Sequence, residues 1–299
     1  MEQDWGLVFS GGGAKGAYQI GVWQAMKELG MEAWIGGISG ASIGALNGAL
    51  FASGDYEKGV EAWEQVNLLS VFDTDWALID GKEGTFSREA MLTLIRNYVD
   101  ARKLAQEDRP VCCSISRVLP ERNYQGEYAR LDGKTSYVIE TLLTASSALP
   151  IIHEAVEYQG FQYRDGGLTD NVPTRPLYDL GFRKIIVVGL NAEMKRFEAD
   201  FPDVEFLSVY PSQYLGDLLD GTLNFRQKYI EFGKKIGYKD GLRIFSAYLA
   251  GDMDPVKLQQ QAELDYKEVM VEVKQTELQQ QVDEHMDTLK QIMEKYGID

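Results

Sequence analysis

The pattern Gly40-Ala41-Ser42-Ile43-Gly44 constrains this chain more than any other stretch. The apolar run Trp34-Ile35-Gly36-Gly37-Ile38 leads into it, and a run of small residues at 45–52 with helical character leads out. A serine with glycine two positions away on each side suits a tight strand-to-helix turn, where the backbone is strained and passes close to its neighbours. Such a turn holds Oγ clear of the sheet and near the first unbonded N–H groups of the helix, whose dipole favours a developing alkoxide. The pattern is short and arises by chance in many chains, so its weight depends on its surroundings.

Those surroundings alternate strand and helix. Leu7-Val8-Phe9 reads as a first strand ended by Ser10-Gly11-Gly12-Gly13, and an apolar face of helical period predicts a helix over 14–29, closed by Gly30. Strand, glycine loop, helix and strand make a βαβ unit, hence a parallel sheet with a right-handed crossover. Residues 184–190, with Ile185-Ile186-Val187-Val188 at their centre, read as a central parallel strand, and 204–210 as another. Strands are expected at 110–118 and 124–128, a helix at 134–146, and a hairpin around Gln159-Gly160 that delivers Asp165-Gly166-Gly167. Further helices are expected at 56–66, at 88–99 with Ser87 as N-cap, and at 223–236. Between the first two, Leu68 to Gly84 is irregular, aromatic and acidic; the region 55–110 reads either as a lid or side wall over the elbow, or as an ordinary peripheral insertion.

The pattern is again helical from 255 to 296, as one segment or as two helices meeting near Lys274–Thr276. Leu278, Val282, Met286, Leu289, Met293 and Tyr296 recur there at spacings of three and four. This heptad-like stripe suits packing on the domain, a homodimer through the C-terminal helices, or a transient membrane contact. Five Lys against ten Asp and Glu in 255–299 weaken the membrane reading. The expected division is a catalytic α/β domain over 1–250 and a helical extension over 251–299.

Charge and cysteine usage exclude other classes. Asp plus Glu number 46 against 30 Lys plus Arg, a formal charge of −16, which argues against nucleic acid as a partner and against strong docking to anionic membranes. The two cysteines, Cys112 and Cys113, are adjacent, so they point to opposite faces of a strand and read as buried free thiols rather than a disulfide or metal ligands. The acidic start runs straight into a strand, and no apolar run is long enough to span a bilayer. The expectation is therefore a cytoplasmic protein, in part peripheral to membrane.

A serine hydroxyl needs a base to accept its proton and donors for the oxyanion that follows attack. The chain has only two histidines, His153 and His285. Ser42, Asp165 and His285 follow the chain order of α/β-hydrolase triads, but His285 lies inside an acidic helical stretch, whereas triad histidines sit on loops. His153 falls near Asp165 if the hairpin between them is tight. The remaining candidate base is Asp165 itself, in a sharp turn where desolvation and a direct hydrogen bond to serine would raise its basicity. For the donors, Gly11-Gly12-Gly13-Ala14-Lys15-Gly16 follows a strand and opens a helix, so successive N–H groups can converge on one anion. The same glycines satisfy a dinucleotide fingerprint, G-x-G-x-x-G, but that fingerprint wants an acid at the end of the second strand, where this chain has the elbow instead. The oxyanion reading is favoured over the nucleotide one.

Taken in order, Ser10-Gly11-Gly12-Gly13-Ala14-Lys15-Gly16, then Gly40-Ala41-Ser42-Ile43-Gly44, then Ala145-Ser146-Ser147-Ala148-Leu149-Pro150, then Asp165-Gly166-Gly167 and Asn171-Val172-Pro173 resemble the patatin-like phospholipases over residues 5–240. The resemblance implies a three-layer α/β/α fold with a central, mostly parallel sheet, and hydrolysis of lipid or other acyl esters without metal or cofactor. Its implied roles are Ser42 as nucleophile, Asp165 as base without histidine, and the N–H groups of Gly11, Gly12 and Gly13 as oxyanion hole. Lys15, Gly16, Gly40, Gly44, Gly166 and Gly167 would support them, with Lys15 where the family often has arginine. The helical tail lies outside the pattern. A non-catalytic lipid-binding member of the same fold is the alternative.

Overall fold

A computed structural model describes residues 3–66, 88–150 and 152–296. The readings of Leu68 to Gly84 and of Ser87 lie outside these residues. In chain order the main elements are β1 (Trp5–Phe9), α1 (Ala17–Glu28), β2 (Ile35–Ala41), α2 (Ile43–Ala52), α3 (Tyr56–Gln65) and α4 (Arg88–Tyr98). They continue with β3 (Val111–Val118), β4 (Tyr124–Arg130), α5 (Ser136–Ser146), β5 (Val156–Tyr158) and β6 (Phe161–Asp165). The last are β7 (Lys184–Val188), β8 (Glu205–Val209), α6 (Gln227–Ala250) and α7 (Pro255–Tyr296).

The strands form one sheet in the order β5-β6-β3-β2-β1-β7-β8, with β4 also paired to β3. The pairs β1–β2, β1–β7, β2–β3 and β7–β8 are parallel; β3–β4, β3–β6 and β5–β6 are antiparallel. The central strands are apolar throughout because both their faces are covered. Trp5, Leu7 and Phe9 of β1 join Ile186 and Val188 of β7 in the larger core. Val8, Ile185 and Val187 enter a smaller core on the other face, closed by Leu177, Phe197 and Phe206. Cys112 and Cys113 are buried free thiols in β3, and burial pushes the Cys112 thiol up to about 12.

Two helical expectations are corrected. The helix after the glycine loop starts at Ala17, behind a 3₁₀ turn at Gly13–Gly16. The helix expected over 223–236 is α6, which begins at Gln227 and runs to Ala250. Its glycines do not stop it; Gly233, Gly237 and Gly241 recur every four residues and press one face onto α1. A Cβ at Gly237 would stand 2.0 Å from the Tyr18 carbonyl oxygen. Of the two readings of 255–296, the structure shows the single segment: α7 has no break at 274–276. It contains no glycine and no proline after Pro255, and Thr276 bonds back to the Glu272 carbonyl rather than interrupting the ladder. The first half of α7 packs on α6 through Val269 and through ion pairs such as Lys235–Glu272 and Lys239–Glu268. Further along, Leu278 and Met286 of the stripe are exposed. Among the described residues no helix is long and apolar enough to cross a membrane.

Candidate active site

β3 is the ruler that brings the two ends of the site together. β4 covers one edge of β3 along residues 112–118, so β2 and β6 share the other. β2 ends there with Ala41 opposite Ser114, and β6 ends with Asp165 opposite Ile115. Ser42 and Asp165 therefore leave neighbouring strand ends at adjacent positions of β3, although 123 residues separate them.

The elbow has the strain its sequence implies. Ser42 is one of three described non-glycine residues with positive φ, at φ 53° and ψ −126°, and it caps α2. The turn is tight enough that a Cβ at Gly44 would lie 2.3 Å from the Phe9 carbonyl oxygen. Strain of this kind persists only where the surroundings over-determine it. Here the Ser42 N–H donates to Ser146 Oγ at 3.0 Å, and the Ser42 carbonyl accepts from Ala45 N at 2.9 Å.

The Ser42 hydroxyl donates directly to Asp165 Oδ2 at 2.6 Å, with no imidazole between them. Asp165 is 2% exposed. Its other oxygen accepts the Gly167 N–H at 2.8 Å, and its main chain is held by Ala148 O and Ser116 Oγ. Burial raises its carboxyl from 3.8 to about 6, against the opposing pull of the Ser42 and Gly167 hydrogen bonds. Asp165 is thus a carboxylate at neutral pH, but a more basic one than a solvated aspartate.

The glycine loop lies beside this pair. The Gly11 N–H donates to Asn171 O at 3.1 Å, while Asn171 Nδ2 donates to Gly11 O at 3.2 Å. This clamp turns the Gly11 amide toward Asn171. Among the described residues the Gly12 and Gly13 amides donate to no backbone carbonyl. Lys15 and Gly16 sit in the 3₁₀ turn that follows. Lys15 faces Asp217 and Asp220, and burial lowers its ammonium below the usual lysine value.

Ser42 stands where two cavities meet. One is an apolar cleft of about 820 Å³, open solvent at its mouth included, lined by Leu46, Trp63, Leu94, Ile95 and Phe225. The other is a polar groove of about 810 Å³ on the same measure, lined by Gly12, Gly13, Lys15, Asp165 and Asn171. Of the two readings of region 55–110, the described part bears out the side wall: α3 and α4 line the cleft.

The profile of the patatin-like phospholipase family matches residues 7–178, more than half of the chain. The chain belongs to that family. An uncharacterized NTE family protein of Mycobacterium bovis is 27% identical over 188 residues, 62% of this chain and 48% of that protein. Lysophospholipase NTE1 of Cryptococcus neoformans is 27% identical over 212 residues, 67% of this chain and 12% of that protein. The chain thus spans about half the length of the mycobacterial relative and far less of the fungal one. Among solved structures, VipD from Legionella pneumophila aligns with 96% of this chain and 77% of its own, at 14% identity and a TM-score of 0.48.

The matched stretch runs from Leu7 in β1 past β6 and includes the glycine loop, Ser42, Ser146, Asp165 and Asn171; Asp217, Asp220 and Phe225 lie beyond it. Neither histidine joins Ser42 and Asp165. His153 is buried in the wall of the apolar cleft, where its carbonyl accepts from Arg164. His285 is exposed on α7. Ser146 and Asn171 stand in sequence motifs whose local pattern assigns them no task; the structure puts one on the elbow amide and the other on the glycine loop. Asn47, whose only sequence signal is a lone amide in an otherwise apolar helix, is buried beside this loop and donates to Gly16 O.

Proposed function

We propose that this chain is a serine acyl hydrolase acting on carboxylic esters of lipids. Ser42 is the nucleophile, Asp165 the base, and the Gly12 and Gly13 N–H groups the oxyanion donors. The observation that carries this reading is the 2.6 Å hydrogen bond between Ser42 Oγ and a desolvated Asp165, at the junction of an apolar cleft and a polar groove. The cleft suits an acyl chain and the groove a polar leaving group.

In the reaction Ser42 Oγ attacks the ester carbonyl carbon as its proton passes to Asp165. The oxyanion forms against the glycine amides, and the helix dipole of α2 adds to their field. Collapse expels the alcohol, which takes the proton from Asp165, and leaves an acyl-serine. Water then attacks that ester as Asp165 again accepts a proton; collapse breaks the bond to Ser42 Oγ, which takes the proton back from Asp165, and the free acid leaves. The catalytic unit on this reading is residues 1–250, with 251–299 an extension docked on it. Hydrolysis of a p-nitrophenyl ester tests the reading. Wild type should turn it over and Ser42→Ala should fall by at least ~10³-fold; equal rates would refute it.

A further inference from the structure

A buried chain of polar side chains joins the wall of the apolar cleft to both ends of the glycine loop. Trp63 of α3 lines the cleft, and its indole Nε1–H donates to Asn47 Oδ1 at 3.0 Å. Asn47 Nδ2 donates in turn to Gly16 O at 3.0 Å and to Gln19 Oε1 at 2.8 Å. Gln19 Nε2 donates to Ser10 O at 2.7 Å and to Val188 O at 3.3 Å. Ser10 and Gly16 bracket Gly12 and Gly13, so the loop of proposed donors hangs at both ends from one pair of buried amides. A second contact is steric. The Trp63 ring packs on Gly16, where a Cβ would stand 2.9 Å from Cζ2.

Asn47 and Gln19 are each 1% exposed. Buried amides are costly unless fully bonded, and here every polar side-chain atom of both has a partner. A satisfied buried network fixes one geometry, which is what oxyanion donors require. Asn47 and Trp63 also face the cleft themselves. An acyl chain seated there touches the same side chains that hold the loop.

We propose that Asn47 and Trp63 are positioning residues that couple occupancy of the cleft by an acyl chain to the placement of the Gly12 and Gly13 amides. This rests on the ester-hydrolase reading. Its consequence is that acyl-chain length enters kcat and not only KM, because the chain steadies donors that act in the transition state. The test compares p-nitrophenyl acetate with p-nitrophenyl octanoate in wild type, Trp63→Phe and Asn47→Ala. Phenylalanine keeps an aromatic wall but has no N–H to hold Asn47.

Wild type should show a higher kcat on octanoate than on acetate. Trp63→Phe should lose that advantage about fivefold or more, with KM for octanoate changed less than about twofold; Asn47→Ala should lose kcat on both esters about tenfold. A wild-type kcat indifferent to chain length overturns the coupling, as does a Trp63→Phe enzyme changed only in KM. If Asn47→Ala does not fold, Trp63→Phe decides alone. A wild type inactive on both esters and unlabelled by a fluorophosphonate contradicts the hydrolase reading itself; an active wild type with an unaffected Trp63→Phe contradicts the coupling alone.

Discussion

Two buried aspartates in this protein have opposite environments. Asp165 is closed off from water with a hydroxyl and an amide as partners and no cation bonded to it. Asp240, on α6, is as deeply buried but sits against Arg243, which also binds Asp265 of α7 at 2.6 Å. Tyr18 of α1 and the Ser212 N–H complete the shell of Asp240, and Gln261 that of Asp265. The second cluster thereby ties α1, α6, α7 and the loop after β8 into one joint. Burial raises both carboxyls, but Arg243 opposes the rise at Asp240 and no cation does so at Asp165. A buried charge left without a cation is expensive and marks a place where chemistry outweighs stability; a buried charge that is paired marks architecture.

Substitution should separate the two. The largest effect is expected at Asp165→Asn, which removes the proposed base and should lower ester hydrolysis by at least ~10³-fold in a steady-state assay. Next is Arg243→Met, which strands two buried carboxylates and should cost about 3–5 kcal/mol in denaturant unfolding, with the remaining folded protein still active. Asp165→Asn should move stability the other way. The folded protein holds the Asp165 proton up to about 6 rather than 3.8, so the penalty for ionising it is absent below the unfolded value and complete above about pH 6. The variant should therefore gain up to about 3 kcal/mol over wild type at pH 7, and the gap should close as pH falls toward 4. Wild-type kcat/KM should decline about tenfold per pH unit below about 6, as the proposed base, Asp165, becomes protonated. The smallest effect belongs to His285→Ala, on an exposed face of α7, which should leave activity unchanged. A stable, active Arg243→Met or a destabilised Asp165→Asn would erase the contrast.

How far the sequence could be read follows the same division. Ser42 and Asp165 were legible because each sits in a turn that only a few residue types can make. The parallel core was legible because strands covered on both faces are apolar throughout. The Gly11 amide was not, because its direction is set by Asn171, 160 residues away. The length of α6 was misjudged because glycines that serve helix contact look like helix breakers until α1 is placed against them. The Trp63–Asn47–Gln19 chain joins three elements by side-chain geometry that no local pattern encodes. The long-range ion pairs of α7 with α6 were invisible for the same reason.

The central claim is that Asp165, and not a histidine, activates Ser42. Fluorophosphonate labelling followed by peptide mass spectrometry reads it directly. Wild type should gain a single adduct on Ser42 at a rate that falls below about pH 6, Asp165→Asn should label at least ~10²-fold more slowly, and His285→Ala should match wild type. Undiminished labelling of Asp165→Asn, or an adduct on another residue, would contradict the account.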